Sequence, residues 1–154
     1  MPPVPAGPSR RQPLSQAPAP AVYRALERVE DYPRWWPQVK EATRLADTAG
    51  GGAGILRIRS VLPFSLVATV RETRRHPAAG LLEVALSGDI DGWARWTVVP
   101  QGSGGTLARY AQEVDVRKPL LRRLARPGRP VFRANHALMM RAGRRGLAAH
   151  LQAV

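Results

Sequence analysis

Six residues combine a polar tip with a place in an otherwise apolar row: Ser60, Trp96, Tyr110, Gln112, Asn135 and His136. Near neutral pH the His136 imidazole could serve as general base or general acid. Tyr110 could then hydrogen-bond a carbonyl or enolate oxygen, while Asn135 or Gln112 orients the reacting chain. The competing reading is structural, with Asn135 and His136 bonded to a loop backbone and locking their helix in place. A buried polar group left without a partner costs about 1–3 kcal/mol. Six such groups facing one interior must therefore pair with one another, with water or with a small molecule, and a few convergent polar tips in apolar surroundings mark a binding site.

Other chemistries find less support. Cysteine is absent, which removes disulfides, thiol nucleophiles and thiolate metal sites. His76 lies in a turn beside Pro77 and His150 near the end of the last helix, so the histidines give no metal-ligand spacing and no metal is expected. Asp91 falls on the outer face with Arg95, and Glu113 and Asp115 share that face with Arg109, so no carboxylate pair is placed for acid–base work. The stretches GGGAG and GSGG lead into strands and not helices, unlike a phosphate cradle, and no cofactor is implied.

The formal net charge is +13, carried almost wholly by arginine, since Lys40 and Lys118 are the only lysines. No acid follows Asp115, whereas the segment from Arg117 to Arg145 is crowded with basic residues. Such a field attracts an acidic partner. Aromatics interleaved with cations, which nucleic-acid stacking needs, are missing apart from Phe132, and no nucleic acid is expected. There is neither a signal-like apolar segment nor a run long enough to span a bilayer, so the expected location is cytoplasmic.

The elements that must hold these side chains follow from periodicity. Residues 1–8 read as a proline-rich disordered leader, and 9–154 as a single domain. Arg11 to Gln16 could form a short edge strand. Ala19 to Arg28 is helical, with Pro20 in the first turn and Val22, Leu26 and Val29 at helical spacing. Pro33 and Pro37 then confine DYPRWWPQV to a turn or second brief helix. From Val39 the period becomes 2, and six strands are predicted: Val39–Asp47, Ile55–Leu62, Phe64–Arg74, Leu81–Gly88, Ile90–Val99 and Thr106–Val116. AGGGAG is read as the first hairpin turn. A final helix of about 25 residues starts at Pro130. Its apolar arc includes Val131, Phe132, Leu138, Met139, Met140, Leu147 and Leu151, broad enough to require enclosure on most sides. Gly143 and Gly146 fall inside that arc at a cost of about 1 kcal/mol each in helix propensity.

Helix pair, antiparallel meander and long terminal helix resemble the START-like (SRPBCC) superfamily, and within it the polyketide cyclase/dehydrase-like proteins. The resemblance rests on APAPAVYRAL with DYPRWWPQV, RSVLPF, GDIDGWARW with GGTLARY, and RPVFRANHALMMRAGRRGL, spread from Ala17 to Leu151. It implies an α+β helix-grip fold, in which a curved antiparallel sheet wraps around the long C-terminal helix and two short helices lie near the N-terminus. The first strand departs from the pattern, being short and containing Pro13.

An apolar cavity between sheet and helix is a further implication, with a polyketide-, lipid-, isoprenoid- or quinone-like occupant. Some members cyclise or dehydrate such a ligand and others only carry it. The residues expected to line the cavity are Trp35, Trp36, Ser60, Leu62, Phe64, Trp96, Gln112, Asn135, Met139 and Met140, with His136 and Tyr110 as catalytic candidates. Trp35 and Trp36, adjacent and so expected to point apart, should divide between core and cavity rim. The basic stretch from Arg117 to Arg145 would dock an acidic carrier protein or an anionic membrane surface. Monomer and homodimer are both open.

Overall fold

Proline placement decides where the first helices start and stop. The computed structural model describes residues 17–48, 51–59, 65–102, 105–117 and 129–152. Helix α1 (Ala19–Glu27) opens with Pro20 in its first turn, where a missing N–H costs nothing. It buries Val22, Tyr23 and Leu26, spaced to face one side. A 3-10 turn (Val29–Asp31) leads into the one-turn helix α2 (Tyr32–Trp35). Trp36 adopts extended geometry, φ −113° and ψ 102°, as expected of a residue whose helical conformation Pro37 disfavours. The chain therefore turns directly into the sheet.

Strands β1 (Val39–Thr48), β2 (Gly51–Arg59), β3 (Ser65–His76), β4 (Leu81–Gly88), β5 (Ile90–Pro100) and β6 (Thr106–Val116) pair antiparallel in chain order. The buried face collects Leu56, Ala68, Val70, Leu82, Ala94 and Val98, as the alternation predicted. Two details differ from the periodicity reading. From Gly51 onward the glycine-rich segment is strand, where a turn was expected: β2 begins at Gly51, and Gly54 pairs with Arg44 and Val70, while residues 49 and 50 lie outside the described residues. Gly54 is buried there because the 3-10 turn presses on it; a Cβ would lie 3.3 Å from Val29 Cγ1 and 3.2 Å from the Thr43 carbonyl oxygen. Second, a register shift between Glu72 and Arg74 interrupts the alternation near the end of β3, where the Thr73 hydroxyl donates to the Glu83 carbonyl at 3.1 Å.

The outer face is laced with ion pairs, Arg57 to Glu41 at 2.6 Å and Arg95 to Glu83 at 2.7 Å among them. Asp91 pairs with Arg117, not with its face-mate Arg95. Exposed pairs of this kind contribute about 0–1 kcal/mol each.

The last helix, α3 (Arg129–Gln152), has 24 residues, close to the predicted length. Its enclosure is uneven. Leu147 is 1% exposed in one cluster with Val22, Leu26, Tyr32, Trp35, Leu56, Leu82 and Val98. Val131 and Leu138, in contrast, are 55% and 51% exposed, so the expectation of a helix covered along its whole apolar arc fails over the N-terminal half. No helix among the described residues is long and apolar enough to cross a membrane. The expected leader, the edge strand Arg11–Gln16 and the basic connector at 118–128 lie outside the described residues.

Candidate functional site

Register and helical phase bring most of the candidate polar groups together. Trp96 on β5 is paired with Tyr110 on β6, and Ala94 with Gln112, so both polar residues of β6 share the face that carries Trp96. The Trp96 and Tyr110 rings stand 4.7 Å apart, tilted by 55°. From α3 the His136 ring approaches Tyr110 with 6.5 Å between centroids. Sheet and helix thus meet across an aromatic row of Trp96, Tyr110 and His136.

The hydrogen bonds assign each group a state. Tyr110 donates its hydroxyl to Gln112 Oε1 at 2.6 Å. Its proton is therefore already committed and cannot reach a substrate oxygen unless Gln112 releases it. Burial drives the Tyr110 pKa upward, so the phenol stays protonated across the physiological range. Burial lowers the His136 pKa for the converse reason, leaving a neutral imidazole at pH 7 with one nitrogen able to accept a proton. Among the described residues His136 has no hydrogen-bond partner, and its one assigned neighbour is the Tyr110 ring.

Asn135 donates from Nδ2 to Met139 Sδ at 3.8 Å, one turn along the helix. Among the described residues its Oδ1 is buried without a partner, as are Trp35 Nε1 and Gln38 Oε1. The structural alternative requires a bond to a loop backbone, and among the described residues neither Asn135 nor His136 makes one. The ring of Trp36 donates from Nε1 to the Met139 carbonyl at 2.9 Å, tying the α2 corner to the same turn of α3. Met140 is half-buried beside it in the chain. Ser60, Leu62 and Phe64 lie outside the described residues.

Trp35 and Trp36 do not point apart. Their rings stack at 5.5 Å with 15° between planes, because the extended geometry at Trp36 swings its side chain over its neighbour. Trp35 is 4% exposed in the core and Trp36 is half-buried. Tyr32 packs on both, at 4.8 and 6.0 Å, and donates to the Leu26 carbonyl at 2.6 Å. Periodicity did not single out this third aromatic, although its spacing one helical turn before the tryptophans was visible.

The two helix glycines explain how this corner is seated. A Cβ on Gly146 would stand 1.6 Å from the Trp35 carbonyl oxygen, and one on Gly143 would stand 2.7 Å from the Trp36 ring. Spaced three apart, they expose one strip of bare backbone on which the tryptophan corner rests. Their propensity cost is the condition for that contact.

An antiparallel meander whose inner face meets a long terminal helix through an aromatic and polar row defines the helix-grip, START-like class of α+β protein. Within it, the chain belongs to the family described as polyketide cyclase/dehydrase and lipid transport, whose model matches residues 11–152. No curated protein is significantly similar in sequence. Among solved structures the chain resembles a protein from Thermus thermophilus, with 15% identity, 94% of each chain covered and a TM-score of 0.78. It also resembles the Zhui aromatase/cyclase from Streptomyces sp. R1128, at 14% identity over 94% of this chain and 92% of that one, TM-score 0.71. A START superfamily protein from Mycobacterium smegmatis matches at 24% identity over 87% and 94%, TM-score 0.60. At these identities the likeness is one of fold.

Proposed function

We propose that this protein binds a hydrophobic small molecule, polyketide-, lipid- or isoprenoid-like, between the inner face of the sheet and α3. One observation carries the reading: Trp96, Tyr110 and Gln112 from two strands and His136 from α3 meet in one aromatic and polar row, in which His136 has no hydrogen-bond partner among the described residues. Aromatic rings flanked by sparse polar tips suit a flat, largely apolar ligand. The named aromatase/cyclase relative lends the polyketide-like class its weight.

In the catalytic form of this reading, neutral His136 removes a proton from an activated carbon of the ligand, initiating cyclisation or dehydration. Trp36 and Met139 then serve as wall and rim, with Trp36 fixed through the Met139 carbonyl. Native mass spectrometry of protein purified from its own host should reveal a retained apolar molecule. Tryptophan fluorescence should respond to at least one of a long-chain acid, an isoprenoid or an aromatic polyketide. Silence in both measurements overturns the reading. With a ligand in hand, unchanged turnover in a folded His136→Ala variant removes His136 from the chemistry.

The second reading is a carrier that hands its ligand on, without chemistry, at an acidic carrier protein or anionic membrane surface. The exposed Arg133, Arg141 and Arg145 along α3 favour it. Such docking should weaken steeply with added salt.

A further inference from the structure

Along the row of Trp96, Tyr110 and His136 the donors outnumber the acceptors. Tyr110 spends its single proton on Gln112 Oε1 at 2.6 Å. The Gln112 amide cannot turn over without breaking that bond, so its other end, Nε2, is fixed as a donor with two N–H groups. Among the described residues those N–H groups have no partner, and neither does the Trp96 indole N–H or the N–H of the neutral His136 ring. None of these nitrogens is sealed; the buried atoms without a partner are Trp35 Nε1, Gln38 Oε1 and Asn135 Oδ1. Against these donors the row offers only the second His136 nitrogen and the Tyr110 oxygen. Gln112 also stands on the inner face, since its cross-strand neighbour Ala94 is buried. Tyr110, two residues before it, is desolvated enough to push its pKa upward yet keeps accessible surface. A ring deep in the protein and still accessible borders a hollow, not bulk solvent.

We infer that Gln112 Nε2 donates to a carbonyl oxygen of the ligand, and that Tyr110 is the positioning residue that locks the Gln112 amide with its donor end presented to the hollow. This rests on the binding reading above and names its polar contact. The two β6 residues thereby exchange the roles their types suggest: the phenol, the obvious donor to a carbonyl, is consumed in orienting the amide, and the amide meets the ligand. A carbonyl oxygen brings lone pairs and no proton, which is what a surplus of N–H groups lacks. If His136 takes a proton next to that carbonyl, the charge that develops on the oxygen strengthens the same bond.

The test uses 2-acetylnaphthalene and 2-isopropenylnaphthalene, a ketone and an alkene of nearly equal shape, titrated calorimetrically into the intact protein. Each protein is scored by its affinity for the ketone relative to the alkene, so that the difference in probe hydration cancels between parent and variant. That ratio should fall about tenfold in Gln112→Leu, the discrimination of one well-placed hydrogen bond. Tyr110→Phe keeps the ring against Trp96 and His136 and removes the hydroxyl. There the alkene should bind as before while the ratio falls about threefold or more. The infrared carbonyl stretch of bound, isotopically labelled 2-acetylnaphthalene should lie lower in the parent than in either variant, a signature that a merely structural Tyr110 would not move. A ratio and a stretch unchanged in Gln112→Leu overturn the inference while leaving ligand binding intact. A Tyr110→Phe protein with the parent's ratio and stretch overturns the positioning role. Should Gln112→Leu fail to fold, Tyr110→Phe decides. If neither probe binds, the molecule retained in native mass spectrometry takes their place, and one without a carbonyl oxygen overturns the inference alone. No bound probe and no retained molecule overturn the binding reading and this inference with it.

Discussion

The two halves of α3 are built from similar residues and behave differently. From Gly143 to Leu147 the helix is pressed onto the tryptophan corner so closely that its glycines admit no side chain, and Leu147 is sealed in the core. From Val131 to Met140 it exposes Val131 and Leu138 and leaves Asn135 Oδ1 unsatisfied. One half supplies stability through packing, and the other holds polar groups in an arrangement that packing alone does not explain. Proteins tend to place binding function where local stability is low.

The sharpest way to break this contrast is Gly146→Ala. The added methyl meets a backbone carbonyl at 1.6 Å, so helix or corner must move, and the expected loss is about 3–5 kcal/mol in chemical denaturation. Gly143→Ala meets only the Trp36 ring and should cost less. A Gly146→Ala protein as stable as its parent would mean that the corner is not seated on the helix.

Next in size is a paired truncation. Leu147→Ala should cost about 2–4 kcal/mol, since it empties a fully buried site, while Met140→Ala in the half-buried region should cost under about 1.5 kcal/mol. Equal losses would erase the distinction between the halves.

The smallest effect is a pH dependence. Burial lowers the His136 pKa below its unfolded value, so the unfolded chain binds the extra proton first. The stability linked to this group is fully present above about pH 6.5, the unfolded value, and declines as pH falls below it. Replacing His136 by Phe should flatten that part of the thermal-unfolding profile between pH 7 and 5. A slope unaltered by the substitution would show that His136 is solvated in the folded state.

Much of this was legible beforehand because strands repeat every two residues. That parity placed Trp96, Tyr110 and Gln112 on one face without reference to any relative, and helical phase added Asn135 and His136. Contacts between elements distant in sequence were not legible. Glycine in a helix registers only as a propensity cost, so the seat for Trp35 and Trp36 was invisible. Nor does parity say whether two inward polar groups satisfy each other: Tyr110 and Gln112 do, and Asn135 Oδ1 does not. The start of β2 was misplaced because glycine reads as turn, whereas Gly54 is needed where Val29 crowds the strand.

The Trp36–Met139 hydrogen bond joins positions 103 residues apart, while every strand pairs with its neighbour in the chain. On the ribosome the meander can therefore zip up hairpin by hairpin as it emerges, yet its apolar face stays bare until Leu147 clears the exit. Until then Trp35 has no backbone to lie against. The nascent chain passes through a sticky interval that the order of its elements makes unavoidable.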